Sequence, residues 1–580
     1  MAEFSKLVIT NKGRALLAKM IAGSGNIEFT KVSASSTTYT DEQLEGLTSL
    51  SNVNQTSLIS KVTRTNEVAI KVETAFTNAE LTVGYYMKAL GLYAVDPDEG
   101  EILYAVTRET SGNCYMPAYN GVTVSGAYVQ LVTAVGNAEN VSLEVDQAAV
   151  ATIGDVQELQ KRIADLEAFI GYPDYDDIYG VEVDFANKKF TRLSGAVNRT
   201  PGAGFDSINA FGGRKRCNVK DDGTVTAYYG DSDYTTTGKN RKGEEVQVMV
   251  EQPKFYYRVV PMVLERGVRG MKIRKARYYV SDTLKPGFKL HPAFIENGNT
   301  NPYIYLAAFE GSIYDVSEKV YVLDGDITAD ISADKFSSIA EAKPFSGLSR
   351  ASIRSLAKNR GLGWEQAYAA TVAASQILIL IEYASFDIQS CIGRGVTEKH
   401  SPDTSSVAEP TGATMELGDA SGMVLNSDGI EFVSYRGEEN LWGNLFAWVD
   451  GMNEENSSTF TIGDVGTLYV ADHGFADAIK VNPYKNTGIH PCYGRGYASA
   501  FGYSEEFDWM FVPVEYDGNN LLPVSDYVEN SSRDWSTVAH GGDWGSHDSA
   551  GAYCYSYIAQ HIIYSNYVGG RLVYVQSKKL

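Results

Sequence analysis

The stretch "GGDWGSHDSAGAYCYSYIAQHIIYSNYVGGRL" (541–572) decides how the C-terminal part of this chain is interpreted. It places five tyrosines and two histidines between two glycine pairs, and it contains no lysine and no glutamate. A solvated surface loop would carry more charge, and an apolar core segment would carry more Leu, Ile and Val. The composition therefore predicts a fixed frame that presents a polar, aromatic face.

The ends of the stretch explain how such a frame would form. The predicted frame residues are Gly541, Gly542, Trp544, Gly569, Gly570 and Arg571. The first glycine pair permits a tight turn before Trp544, which we expect to be a buried plug. The second pair forms another corner, where the guanidinium of Arg571 offers five donors to buried carbonyls. A terminal strand follows in "RLVYV".

The composition limits the classes of protein to consider. A chain of 580 residues with 44% hydrophobic residues predicts two to four globular domains. The 38 tyrosines exceed the 22 phenylalanines, which favours β-rich structure and binding faces. The net charge of −22 argues against nucleic acid as a partner, because a phosphate backbone needs a basic surface.

The cysteines and the apolar runs indicate the compartment. The five cysteines are scattered and form no CxxC motif, so we expect reduced thiols in a protein made in the bacterial cytoplasm. The N-terminus lacks the apolar core of a signal peptide, and no apolar run is long enough to enter a membrane.

Residues 1–148 predict a small α+β domain. A helical spacing of apolar residues runs through "TNKGRALLAKMIAGSG" (10–25), and alternating stretches at 68–76 and 127–135 predict strands. The sequence "DPDEG" (96–100) is typical of a hairpin turn.

The runs "TNKGRALLAKMIAGSGNIEFTKVSAS" and "LISKVTRTNEVAIKVETAF", in this order, resemble the N-terminal domain of phage tail-collar fibre proteins. The resemblance covers most of residues 3–148. It implies an anchor domain that binds the baseplate or collar proteins of a tail. The expected location is accordingly the virion tail, or the tail of a phage-tail-like particle.

Residues 149–172 predict a short coiled-coil neck. Apolar residues recur there at alternating steps of three and four, with charged residues between them. These oligomerisation positions are Val156, Leu159, Ile163, Leu166 and Ile170. An amphipathic helix packed on its own domain is the alternative. The fibre resemblance implies a homotrimer, although the seam alone does not choose between two and three strands.

The remainder predicts a β-rich connector over 173–245 and a large α+β domain over 246–580. A first helix should end near 361–363, and a second, starting at about Trp364, is apolar on nearly all sides and should be buried. The Gly/Pro/Ser/Thr-rich segment 397–422 predicts a mobile loop.

Several C-terminal landmarks occur in a recognisable order: "RASIRSLAKNRGLGW", "NLWGNLFAWVDG", "FVPV", "HGGDWG" and "GGRLVYV". Together they resemble the C-type-lectin fold of phage receptor-binding proteins, in particular the tropism-determinant proteins of diversity-generating retroelements and formylglycine-generating-enzyme-like domains. The resemblance implies that 534–572 is a variable-type segment inside a fixed frame, because many of its positions, although not Gln560, carry residue types that adenine mutagenesis of Asn codons produces. A tyrosine-rich lectin-like segment without diversification is the alternative.

On this interpretation the segment binds a host bacterial surface glycan or protein without covalent chemistry. Tyrosine rings would supply stacking, and Ser, Asn, His and Asp would supply hydrogen bonds. The predicted ligand-binding residues are Asp543, Ser546, His547, Tyr553, Tyr555, Tyr557, His561, Tyr564, Asn566 and Tyr567, with Trp535 as a rim aromatic. The prediction requires exposed tyrosines. The alternative is that they pack in the core or at a subunit contact.

Motifs for catalysis and cofactors are missing. The histidines form no HExxH or similar spacing, so we expect no metal site. The acidic segment "DGDITADISAD" (324–334) lacks the downstream glutamate of an EF-hand, so a structural calcium ion has no supporting motif. We therefore predict a receptor-binding tail fibre that is not an enzyme. A purely structural collar or baseplate protein and a polysaccharide depolymerase with a carboxylate pair are the alternatives.

Overall fold

The computed structural model describes residues 4–23, 27–64, 69–112, 114–119, 125–134, 144–146, 153–172, 175–325, 327–399, 408–456, 466–519, 524–531, 535–559 and 566–575. Strands dominate, with helices interspersed, as an α+β class predicts. The chain forms two compact units, Met1–Arg162 and Ile163–Leu580.

The first unit is built from antiparallel sheets and a helix. One sheet contains, in spatial order, Val8–Ile9, Gly100–Arg108, Ala89–Asp96, Phe29–Ser35 and Val53–Leu58. Another contains Glu144–Asp146, Gly126–Ala134, Ala69–Thr77 and Lys61–Arg64, and a short ladder joins Tyr85–Tyr86 to Tyr115–Met116. The helices are Asn11–Gly23 and Asp41–Leu44. The predicted helix and strands are confirmed by these elements. The predicted hairpin turn is confirmed because Asp96 pairs with Gly100 across it.

The predicted neck is a helix over Ile153–Ile170, which we call the neck helix. The helix crosses into the second unit, where its Ala164 and Ala168 are buried and the Tyr279 hydroxyl donates to the carbonyl of Ala168 at 3.0 Å. The guanidinium of Arg277 also donates to the Ala168 carbonyl, at 2.6 Å. The end of the helix is therefore packed on its own domain, as the alternative expected.

The opposite side of the neck helix carries the predicted seam. Leu159, Ile163, Leu166 and Ile170 are each more than half exposed, whereas the side chain of Val156 lies outside the described residues. An apolar stripe of this length on a solvated helix is typical of an interface. The coiled coil itself remains a prediction.

The second unit contains larger sheets. One orders Lys189–Ser194, Ile178–Asp184, Gly270–Ser281, Tyr256–Gly267 and Lys289–Leu290, with Ala500–Tyr503 and Pro513–Glu515 attached beside Gly270–Ser281. A second orders Val225–Tyr228, Lys215–Val219, Gln247–Pro253, Tyr303–Ala307, Leu572–Val575 and Trp364–Gln366. A third, which we call the groove sheet, orders Lys485–Asn486, Thr467–Val470, Phe446–Glu455, Ser536–Gly541, Gly551–Ala559, Tyr527–Asn530 and Gly494–Tyr497, with Val568–Gly569 beside Phe446–Glu455.

Smaller elements complete this unit. Short sheets join Val320–Val322, Ser312–Asp315 and Lys335–Ser337, then Gly422–Leu425, Glu431–Tyr435 and Glu438–Glu439, then Ile295–Glu296 and Asn299–Thr300. The α-helices are Asn209–Gly212, Arg350–Lys358, Ala369–Tyr383 and Ile388–Cys391, and the 3-10 helices are Gly202–Gly204, Pro292–Phe294, Met415–Leu417 and His547–Ser549.

Two boundaries of the sequence analysis need correction. The second helix begins at Ala369 rather than near Trp364, because Trp364–Gln366 pairs with the terminal strand Leu572–Val575. The expected connector 173–245 is not a separate part of the fold. Its strand Lys215–Val219 pairs with Gln247–Pro253 inside one sheet.

The second helix is buried on nearly all sides, as predicted. It contacts strands of the first sheet of this unit and of the groove sheet. We call Ala369–Tyr383 the buried helix.

Arg571 joins several of these elements. Its guanidinium, 4% exposed, donates to the carbonyls of Ala307 at 2.9 Å, Glu439 at 2.8 Å and Asn440 at 3.3 Å. Main-chain bonds on either side hold the corner, since Gly311 donates to the Gly570 carbonyl and Ala367 to the Arg571 carbonyl. The donor role that the sequence suggested for Arg571 is the one observed.

We expect Arg571→Met to lower the free energy of unfolding of the second unit by about 3 kcal/mol or more, because buried carbonyls lose their charged donor. All six tryptophans lie between 364 and 544, so tryptophan fluorescence in urea follows this unit alone. The exposed Arg266→Met serves as control and should change stability by less than about 0.5 kcal/mol. Equal shifts in the two variants would contradict the role of Arg571.

Candidate functional site

The strand Gly551–Ala559, which we call the tyrosine strand, lies inside the groove sheet. It pairs antiparallel with Ser536–Gly541 and parallel with Tyr527–Asn530. Because side chains of a strand alternate between faces, Tyr553, Tyr555 and Tyr557 share one face. The residues between them, Cys554 and Ser556, share the other.

The expectation that these tyrosines are exposed is wrong. Tyr553, Tyr555 and Tyr557 are 0%, 4% and 3% exposed, because the face they share packs on the interior of the second unit. The Tyr553 ring lies 4.8 Å from that of Phe386. Its hydroxyl donates to the main-chain carbonyl of Gln376 in the buried helix at 2.7 Å. These tyrosines are therefore core residues with satisfied or enclosed hydroxyls.

A groove of about 900 Å³ opens on the opposite face of the sheet. Its lining is polar and aromatic. The lining residues are Phe446, Arg495, Tyr497, Tyr527, Glu529, Ser531, Asp543, Gly545, Ser546, His547, Asp548, Ser549, Cys554, Tyr555, Ser556, Tyr557, Ile558 and Tyr567. Tyr555 and Tyr557 reach it with only the few per cent of their surfaces that remain exposed.

One wall of the groove comes from two edge strands that the sequence analysis did not single out. Arg495 and Glu529 face each other across the strand pair and form an ion pair of 2.6 Å. Next to them, the rings of Tyr497 and Tyr527 meet edge to face with centroids 5.3 Å apart. The sequence feature that points to this wall is the period-two spacing of Arg495 with Tyr497 and of Tyr527 with Glu529, which places each pair on one face of its strand.

The opposite wall is the turn 543–549. It begins at Gly541 and Gly542, whose φ angles of +101° and +84° belong to the left-handed region that favours glycine. A Cβ at Gly541 would lie 2.8 Å from the carbonyl oxygen of Leu441. The tight turn expected from the glycine pair is thus the one observed.

Main-chain bonds fix this turn. The Trp544 amide donates to the Asn444 carbonyl, the Trp544 carbonyl accepts from Lys399, and the His547 amide donates to Thr397. Within the turn, Asp543 accepts from the Gly545 amide and the Ser546 hydroxyl.

The prediction that Trp544 is a buried plug is wrong. Trp544 is only half-buried, although its indole nitrogen is enclosed without a hydrogen-bond partner. Trp442, far away in sequence but adjacent to Gly541 in space, is fully buried, and its indole nitrogen donates to the Gly393 carbonyl.

The predicted ligand-binding residues therefore separate into groups. Asp543, Ser546, His547 and Tyr567 line the groove, Tyr555 and Tyr557 touch its boundary, and Tyr553 lies in the core. Asn566 is exposed beside Tyr567 without lining the groove. His561 and Tyr564 lie outside the described residues. The half-buried Trp535 packs near Tyr469 rather than at the groove.

Burial controls the ionisation of groups around the tyrosine strand. Burial raises the pKa of Asp543, although hydrogen bonds from Ser546 and Gly545 oppose the change. Behind the sheet, burial raises the pKa of Asp526 to about 8, while the Tyr553 amide donates to its carboxyl group at 2.6 Å. Burial also raises the pKa of Cys492 to about 12 and that of Cys554 well above its usual value. Both thiols are therefore protonated at neutral pH.

The described part of the chain contains no group of three or more His, Cys, Asp or Glu residues able to hold a metal ion. Within the same residues, no helix is both long and apolar enough to cross a membrane. The five cysteines are unpaired thiols, as expected.

We expect the stability of the second unit to depend on pH through Asp526. A carboxyl group with a raised pKa holds its proton in the folded state, so its contribution to stability is lost as pH rises toward about 8. Asp526→Asn cannot lose this proton, so the urea midpoint of the variant should fall less between pH 6 and 8.5. As the pH rises toward the raised pKa, the free energy of unfolding of the parent should fall relative to that of the variant by up to about 1.4 kcal/mol for each pH unit. Parallel pH profiles of variant and parent would contradict this assignment.

Comparisons with known proteins address the two ends of the chain differently. The family model for the phage tail-collar fibre protein, N-terminal, matches residues 1–154. No curated protein matches the chain. Solved structures similar to it include the P3c and M1 variants of the major tropism determinant, each 11% identical and aligned over 62% of this chain and 71% of its own, with a TM-score of 0.23. A TM-score this low carries no argument, so the C-type-lectin fold remains a prediction. Over residues 1–154, however, the chain is similar to the N-terminal domain of phage tail-collar fibre proteins, which confirms the resemblance found in the sequence.

Proposed function

We propose that this protein is a tail fibre of a phage or phage-tail-like particle and binds a host-cell ligand in the groove. The groove is the observation that carries the proposal, because a concave site lined by aromatic and polar side chains is typical of ligand binding. The similarity of residues 1–154 to a fibre N-terminal domain supports attachment to the collar or baseplate of a tail.

The binding face proposed here is the reverse of the one first expected. Tyr497, Tyr527 and Tyr567 replace the buried tyrosines as the aromatic contacts. Asp543, Ser546 and the other residues of the turn supply hydrogen bonds. Rigid tyrosine rings give contact area at low entropic cost, and short polar side chains give adaptable bonds. Recognition on this proposal is non-covalent.

We also propose that the neck helix brings copies of the chain together as a homotrimer. Its exposed seam is apolar, while its other side is fixed to the second unit by Ala164 and Ala168. Several grooves on one fibre would then act together, so that weak binding at each becomes strong attachment of the particle.

We also propose that the segment 534–572 is diversified, but at only some of its positions. Variation at Tyr553, Tyr555 or Tyr557 would disturb the core. Diversified positions should therefore be those on the groove side, in the turn 543–549 and at Tyr567.

The groove is tested with Tyr527→Ser combined with Tyr567→Ser in the full chain. Binding of labelled protein to a panel of intact bacterial strains should fall at least about 10-fold, since buried aromatic contacts dominate interface energies. Tyr303→Ser is the matched control, because Tyr303 is 39% exposed, similar to the 36% of Tyr567, and lies outside the groove. Unchanged binding by the double variant would place the receptor site elsewhere.

The neck helix is tested with Ile163→Glu combined with Leu166→Glu. Charges in an apolar seam oppose association, so the mass from light scattering should fall from three chains to one. Val268→Glu places a charge on an apolar side chain that is 81% exposed and far along the sequence from the helix, and it should leave the mass unchanged. A parent protein that is monomeric at micromolar concentration would exclude the seam as an interface.

A further inference from the structure

We infer that the ligand of the groove is an uncharged oligosaccharide rather than an anionic polymer or a protein surface. The inference rests on the proposed function and specifies the chemistry of its ligand. It is carried by the charges, the rings and the shape of the groove.

The charges of the lining oppose anions. Three carboxylates line the groove, those of Asp543, Asp548 and Glu529, whereas Arg495 is the cation in the described lining. The guanidinium of Arg495 is already engaged by Glu529 at 2.6 Å. Outside the lining, Arg394 pairs with both Asp548 and Glu398, so it too is shared among acids.

An anionic ligand would therefore meet a lining that holds two more carboxylates than arginines. Like charges brought close together near a protein surface repel each other, and repulsion of this kind excludes wrong ligands. Phosphate, sulfate or uronate groups fit poorly here, and the chain as a whole adds a net charge of −22. A neutral ligand avoids this cost while its hydroxyl groups donate to the same carboxylates.

The rings suit sugars. Tyr497 and Tyr527 stand at 90° to each other, so together they form a corner with two ring surfaces. Tyr567, beside Phe446 at 6.4 Å, provides another ring in the lining. The C–H faces of pyranose rings are apolar and pack on aromatic faces, and their hydroxyl edges then point at polar side chains.

The floor and the volume agree with a small, flexible ligand. Ser556 and Cys554 are short, so the floor is low between the two walls. A volume of about 900 Å³ lies within the range of small-ligand sites. A folded protein partner needs instead a patch of about 800 Å² per side, usually flatter than such a groove.

The inferred bonds run from ligand hydroxyl groups to carboxylate oxygens. Each lining carboxylate already has a protein partner, since Glu529 pairs with Arg495, Asp548 pairs with Arg394, and Asp543 accepts from Gly545 and Ser546. A carboxylate has about four acceptor positions on its two oxygens, so ligand hydroxyl groups can still donate to it beside these partners. Binding of the ligand should then be the same in EDTA as in calcium.

The experiment uses the full chain on a glycan array that carries neutral oligosaccharides beside sialylated, uronate-containing and phosphorylated ones. Binding should be confined to neutral glycans, remain within twofold between EDTA and calcium, and fall at least 10-fold in Tyr527→Ser. Tyr303→Ser should bind as the parent does. Glu529→Gln combined with Asp543→Asn removes two carboxylates and releases Arg495 from its ion pair, so binding of this variant to anionic glycans should rise at least 10-fold.

Treated cells separate this inference from the proposed function. Mild periodate oxidation should abolish binding to intact bacteria, whereas proteinase K should not. Binding that is lost with proteinase K and survives periodate, or an array signal confined to acidic glycans, overturns the glycan inference and leaves receptor binding intact. A folded full chain that binds neither any strain nor any glycan overturns both.

Discussion

The second unit depends on the corner at Arg571. A buried guanidinium that donates to carbonyls of Ala307, Glu439 and Asn440 connects the end of the chain to a central strand and to a turn far away in sequence. Without these bonds the terminal strand Leu572–Val575 would lack its register beside Tyr303–Ala307 and Trp364–Gln366. The parallel strand Val568–Gly569, which joins the groove sheet, follows from the same corner.

The pleat of the groove sheet then divides core from site. Tyr553, Tyr555 and Tyr557 face the interior, where the first two bond to Gln376 of the buried helix, and Cys554 and Ser556 between them face the groove. The strands beside the tyrosine strand supply charged and aromatic side chains to the groove. Parallel pairing with Tyr527–Asn530 places Glu529 beside Ser556, and Gly494–Tyr497 adds Arg495 and Tyr497 at the edge.

The sequence predicted local features better than it predicted faces. The helix Asn11–Gly23, the hairpin at Asp96 and the donor role of Arg571 depend on short-range patterns or on a charge that must be satisfied when buried. The prediction of exposed tyrosines was wrong because tyrosine suits both a core and a surface, and the sequence does not show which face of a strand is covered. The edge-strand wall was missed because its pairing joins segments tens of residues apart, and no local pattern encodes such a register.

Side chains of the turn 543–549 have separate roles in this arrangement. Its path is held by the positive φ angles of Gly541 and Gly542, by main-chain bonds of Trp544 and His547, and by side-chain bonds of Asp543 and Ser546 within the turn. Substitutions at the exposed His547 and Asp548 change the groove wall without removing these bonds, whereas substitutions at Tyr553 act on packing with Phe386 and the buried helix. The fold therefore constrains the core-facing tyrosines of the tyrosine strand more strongly than it constrains the exposed side chains of this turn.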